Sequence, residues 1–181
     1  MIFKIFIFLF FLLLSLLHAD SAYNLDILAL QAKVFPKVIL TDVDITQKTL
    51  NNQLIITILY EEIDTKIAVQ FQKMIQNNYK SLKGLVVIVR LLPYQDFSKQ
   101  KDLSSAYFFL LSDKRDQIAE LANSLTNEHR LTFCYDETYL DYGVIMGLDI
   151  RGRVSLSLNL KTLKKSKIQL ENSIFKVVKI K

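Results

Sequence analysis

The chain has 181 residues, with 23 Lys and Arg against 18 Asp and Glu, two His, one Cys and no Trp. A single cysteine excludes an intramolecular disulfide, and two histidines with one cysteine cannot supply a four-ligand zinc site of the His and Cys type. The four glycines form neither G-x-G-x-x-G nor G-x-x-x-x-G-K-[ST], which excludes the usual nucleotide-phosphate cradles.

Lys4 precedes an apolar run, Ile5 to Leu17, and then His18, Ala19, Asp20, Ser21 and Ala22. That order of charged, apolar and small residues predicts a signal peptide over residues 1–19, and cleavage after Ser21 fits as well. The run is shorter than the roughly 20 residues that span a bilayer. An uncleaved anchor is the rival reading. Export to the periplasm is therefore expected, with residues 20–181 as one domain large enough to bury a core. In an exported protein, mild basicity favours acidic surfaces such as lipid headgroups, and no nucleic-acid partner is expected.

Asn24 is placed to cap a helix whose apolar positions include Ile27, Leu28, Leu30, Val34 and Phe35, and Pro36 is expected to end or kink it. Leu54 to Tyr60 is nearly continuous and β-branched, as in a strand covered on both faces. Ile63, Ile67, Ala68, Phe71, Met74 and Ile75 then share one helical face. Gly84 opens a strand from Leu85 to Leu92, and a polar loop leads to another, Ala106 to Leu111. Asp113, with Asp116 three positions on, predicts the cap of a helix buried through Ile118, Leu121, Ala122 and Leu125. Asn127 and His129 end it. Arg130 to Cys134 is the next strand, with Cys134 read as an inert core thiol. A hairpin follows, Val144 to Ile150 and Val154 to Leu158, turning tightly at Arg151 and Gly152. Asn159 caps a short helix to Lys165. Ile174, Phe175, Val177 and Val178 are spaced to dock one helical face. The alternation predicts an α/β fold: an open mixed sheet, mostly parallel with a C-terminal antiparallel hairpin, flanked by helices.

Chemistry concentrates in two carboxylate clusters. Glu61, Glu62 and Asp64 open a helix, where negative charge offsets the dipole. Asp136, Glu137 and Asp141 are interleaved with Tyr135, Tyr139 and Tyr142 between strand and hairpin. A carboxylate pair such as Asp136 and Glu137 could serve a hydrolase, but no tryptophan platform accompanies it and no G-x-S-x-G elbow occurs. Tyr135, Tyr139, Asp141 and Tyr142 are therefore read as a partner or ligand surface, and Gly143, Gly152 and Asn159 as structural. No catalytic residue, metal or cofactor is expected. From Lys161 onward, seven lysines face Glu171 alone, a solvated face or a weak contact with anionic lipid.

The stretch Tyr139-Leu140-Asp141-Tyr142-Gly143-Val144-Ile145-Met146-Gly147-Leu148 resembles the YfiR/HmsC-like family of periplasmic regulators. So do Val154 to Asn159, Leu163, Ile168, and the pair Ile174 and Phe175. The opening helix, Leu28 to Pro36, is similar more loosely. Val144, Lys167, Glu171 and Asn172 depart from the family's Gly and Ser positions, and the single cysteine removes any disulfide-based control. The resemblance implies a non-enzymatic protein that binds the periplasmic region of an inner-membrane sensor, such as a diguanylate cyclase or a sensor kinase. Through that contact it would restrain cyclic di-GMP signalling and biofilm formation; a homodimer is compatible with this. The alternative is a periplasmic small-molecule-binding protein serving a membrane receptor or transporter, with its ligand at the carboxyl ends of the strands.

Overall fold

The computed structural model describes residues 22–100 and 103–181. The expected signal peptide lies outside the described residues. Twelve elements follow one another: α1 (Leu25–Ile39), β1 (Gln53–Tyr60), α2 (Thr65–Asn78), β2 (Ser81–Leu82), β3 (Leu85–Pro93), β4 (Ala106–Leu110), α3 (Arg115–Asn127), β5 (Leu131–Cys134), β6 (Met146–Asp149), β7 (Ser155–Leu158), α4 (Leu160–Ser166) and β8 (Val178–Ile180). Short 3-10 turns lie between them, among them Glu137–Tyr142 between β5 and β6. Among the described residues no helix is long and apolar enough to cross a membrane.

The eight strands among the described residues form one sheet in the order β2-β3-β1-β4-β5-β6-β7-β8. From β3 to β6 neighbouring strands are parallel, β2 and β7 pair antiparallel with β3 and β6, and β8 runs parallel to β7. This is the α/β mixed sheet that the sequence pattern predicts. The chain winds outward from β1 in both directions, so the order reverses between β1 and β4. One face of the sheet carries Leu54, Ile56, Ile58, Phe108 and Phe133 beneath α1 and α2. The other carries Leu59, Tyr107, Phe109 and Cys134 beneath α3 and the 137–142 turn. Burial on both faces explains why β1 reads as continuously apolar. Phe35 of α1 packs against Phe133 and Phe108, with ring centroids 4.6 and 5.7 Å apart.

Several local expectations give way to long-range contacts. Helix α1 continues through Pro36 to Ile39 because Val38 and Ile39 are buried beyond it. Asp113 does not cap α3: its φ is +53°, its N–H is taken by the Tyr139 hydroxyl at 2.9 Å, and the helix starts at Arg115 with no side-chain cap. Ile63 is not on a buried face; it lies on a 3-10 turn before α2 and is 87% exposed. The hairpin turn is a five-residue loop, 150–154, rather than the tight turn expected between Ile150 and Val154. The segment expected to dock as a helical face becomes a 3-10 turn followed by strand β8. Strand β2 has no counterpart in the sequence reading.

Gly147 on β6 marks a close approach, the tightest of the glycines. A Cβ there would sit 3.2 Å from Cys134 Sγ and 3.3 Å from the Glu137 backbone. Gly147→Ala is expected to lower stability by about 1–3 kcal/mol, since the backbone side of that contact has no rotamer to yield. Urea unfolding of both proteins measures the difference.

Candidate functional site at the carboxyl edge

In a sheet wound in this way, ligands characteristically enter the crevice at the carboxyl ends of the strands where the order reverses. Here that crevice lies between the ends of β1 and β4. It is filled by Tyr23, which is 5% exposed. The Tyr23 hydroxyl donates to Asp64 Oδ2 at 3.2 Å, just past β1, and also bonds Ser112, just past β4. Burial, with the Asp64 charge behind it, pushes the Tyr23 phenol up. Burial likewise raises Asp64, outweighing the opposing hydrogen bond from Tyr23. The Asp64 carboxylate thus has a packing role beyond offsetting a helix dipole.

Beside the plug, past the ends of β5 and β6, lies a cleft of about 270 Å³ lined by Ile27, Tyr135, Asp136, Glu137, Leu148 and Arg151, among others. Tyr135 forms the wall shared with the plug. Its ring meets Tyr23 edge-on at 4.9 Å, and its hydroxyl accepts the Asn24 N–H at 2.7 Å. Asn24 in turn caps α1, as expected, through the Asp26 and Ile27 N–H groups. Gln31, fully buried on α1, donates to the Cys134 and Tyr135 carbonyls and fixes the helix against the end of β5.

Glu137 forms the far wall and is the centre of an ionic cluster. Its Oε1 accepts from Ser157 Oγ at 2.6 Å and from Lys181 Nζ at 2.7 Å; its Oε2 accepts from Arg151 at 2.5 Å. Asp149 accepts from the Arg151 backbone and side chain and from Lys179 at 3.2 Å. Burial on its own would raise Glu137, but the Lys181 and Ser157 hydrogen bonds hold it below the ordinary value. The Arg151 N–H and then Lys179 bring Asp149 down to about 2. Both carboxylates are fixed acceptors of three hydrogen bonds each, a poor arrangement for giving up or taking a proton.

The four residues expected to form one surface are split. Tyr135 lines the cleft. Tyr139 does not belong to a surface: it is 5% exposed, and its hydroxyl accepts the Asp113 N–H. Tyr142 lies on the α3 side, half-buried, edge-on to Tyr139, with the Arg115 guanidinium 5.8 Å above its ring. Asp141 is exposed. Gly143, at φ +93°, ends the 137–142 turn, and Asn159 caps α4 at Thr162 while donating to the Leu140 carbonyl at 2.6 Å. Gly152 sits in the open loop at φ +151°. Cys134 is fully buried, and burial holds its thiol well above the ordinary value. Asp136 accepts the Thr138 N–H, and Glu137 is committed to its cations, so the pair does not converge on a common point. Among the described residues no three His, Cys, Asp or Glu side chains gather as a metal site. Tyr23, Arg151, Ser157, Lys179 and Lys181 carry the geometry without a sequence signal: no motif pairs a turn arginine or a tail lysine with a carboxylate far along the chain.

This carboxyl edge belongs to a doubly wound α/β domain. A solved structure described as a conserved domain protein from Vibrio cholerae matches at a TM-score of 0.51 and 12% identity, over 76% of this chain and 58% of that one. An ABC domain in complex with L-Trp from Streptococcus pneumonia matches at 0.51 and 10% identity, over 79% and 61%. The chain thus spans about three fifths of each neighbour's length, and the likeness is one of fold. No protein-family profile and no curated protein sequence matches the chain.

Two outcomes follow from the cluster. Glu137→Ala leaves Ser157 Oγ buried without its acceptor and separates Lys181 and Arg151 from their anion. It is expected to cost about 1.5–3 kcal/mol, the scale of hydrogen bonds to a charged group, read from urea unfolding at neutral pH. Glu137 and Asp149 bind protons less readily folded than unfolded. Their stabilisation is complete above the unfolded carboxylate range, about pH 4, and is lost as pH falls toward about 2. Thermal melts across that window should show the loss, and Asp149→Asn should flatten it.

Proposed function

We propose that the chain is an exported regulatory protein that binds the exported region of a membrane sensor, such as a diguanylate cyclase or a sensor kinase, and carries out no reaction of its own. The observation that supports this reading is the Tyr23 plug. The crevice where such a sheet would take a small ligand is filled by the chain's own side chain, bonded on both sides. Recognition is then left to the outer surface. The YfiR/HmsC-like resemblance in residues 130–180 agrees with this, since that family acts through a binding equilibrium.

A second reading is favoured by the cleft beside the plug. Ile27, Leu148 and Ile150 give it apolar walls, and Arg151 and Thr138 give it a polar rim. That composition suits a small amphipathic molecule, although about 270 Å³ is at the small end for ligand pockets, which run from roughly 300 Å³ upward. The neighbour crystallised with L-Trp makes an amino acid the first candidate.

The two readings separate in a pair of measurements. Affinity capture from detergent-solubilised envelope membranes should enrich an inner-membrane sensor with the full chain as bait. A thermal-shift panel of amino acids and small metabolites should leave the melting temperature unmoved. Empty capture together with a clear shift would replace the regulatory reading with the small-molecule one.

A further inference from the structure

The two ends of the sheet are finished in opposite ways. At one end, the first half of β3's outward backbone is already used. Strand β2 pairs with Leu85 and Val86, the Val87 N–H donates to Lys80 at 3.0 Å, and the Val89 carbonyl accepts from Gln72 Nε2 at 2.7 Å. Pro93 has no N–H to present. At the other end, among the described residues β8 pairs with β7 alone. In a parallel ladder alternate residues turn both backbone groups toward the neighbour. Lys181 donates to the Leu158 carbonyl at 2.9 Å and accepts from the Leu160 N–H at 3.3 Å, so Lys179 and Lys181 face β7. The N–H and C=O groups of Val178 and Ile180 therefore face outward.

The surface around this open edge is both apolar and positive. Ile150 and Val154 in the β6–β7 loop are exposed large apolar side chains, as are Phe175, Val177 and Ile180 in β8 and the turn before it; Val177 and Ile180 are 61% and 57% exposed. Lys176, Lys179 and Lys181 are exposed among them. Lysines on an edge oppose pairing with a like strand. A second copy added across a two-fold axis would set these lysines against their own kind, a destabilising cross-strand arrangement. An extended segment in which apolar residues alternate with Asp or Glu meets every feature at once. Its backbone pairs with Val178 and Ile180, its apolar side covers Ile180 and the half-buried Val178, and its carboxylates face Lys176 and the solvent side of Lys179 and Lys181, which also pair with Asp149 and Glu137.

We propose that β8 is a strand-addition edge that takes an extended acidic and apolar segment from the exported region of the membrane partner. This rests on the regulatory reading above and names the surface and the chemistry it would use.

The test titrates the full chain with three labelled synthetic peptides. One alternates Val with Glu, one alternates Val with Lys, and one is the Val–Glu peptide N-methylated at alternate amides. The Val–Glu peptide should bind at least about tenfold tighter than the other two. Ile180→Pro removes an outward donor without touching the ladder to β7 and should weaken that binding by about tenfold or more; Ile180→Thr, which keeps the N–H, should retain it. The methylated peptide tests the same bond on the unaltered protein if the proline variant folds poorly. Equal binding of all three peptides would overturn the proposal, as would undiminished binding by a folded Ile180→Pro. Dimerisation abolished by Ile180→Pro would give the edge to a second copy, and binding to phosphatidylglycerol vesicles without peptide selectivity would give the lysines to lipid; each overturns it. Sensor capture by Ile180→Pro equal to that of the unaltered chain would overturn the edge alone and leave the regulatory reading standing.

Discussion

The Glu137 carboxylate is the point on which the last third of the chain closes. Five strands, β3 through β6, are held by helices that lay apolar stripes on both faces of the sheet, so their cohesion is ordinary hydrophobic burial. The row formed by Gly147, Ser157 and Lys179 across β6, β7 and β8 has no apolar side chain to bury. What holds that face is charge. Glu137 is brought out of water, which is unfavourable on its own, and three donors from three different elements offset the loss. The geometry favours glycine at 147, because the Glu137 backbone passes within 3.3 Å of where a side chain would begin. One absent methyl group lets the carboxylate reach Ser157, and the carboxylate then draws in Arg151 and Lys181.

Where burial repeats with a period, the sequence was readable. The β-branched run of β1 and the apolar faces of α2 and α3 are legible because each side chain reports its own environment. Pro36 shows the limit of local rules. A proline inside a helix costs roughly 3 kcal/mol, but Val38 and Ile39 are each buried beyond it, and full burial of such a side chain yields about 1.5–3 kcal/mol. Two such residues outweigh one lost hydrogen bond. Asp113 fails as a cap for the opposite kind of reason: its N–H is claimed by Tyr139, 26 residues away. The candidate site was the least legible part. Tyr135 was readable as part of it, whereas Tyr139 was misplaced on the surface because an aromatic in a polar stretch gives no sign of which way it turns. Lys179 and Lys181 read as a basic tail, since pairings with Asp149 across 30 residues and with Glu137 across 44 leave no periodic trace.

These placements bear on what the fold can recognise. A doubly wound sheet offers its crevice at the reversal of strand order, and in this chain Tyr23, Asp64 and Ser112 close it from three directions. The tyrosine that closes it also meets Tyr135, the wall of the adjoining cleft, edge-on. Any molecule entering that cleft would therefore press on the plug as well as on Glu137 at the opposite wall. The opposite wall is tied through Lys181 to β8, so the cleft and the open edge share one carboxylate. Plug, cleft and edge are thus joined by contiguous contacts: the Tyr23–Tyr135 ring pair on one wall and the Glu137–Lys181 ion pair on the other.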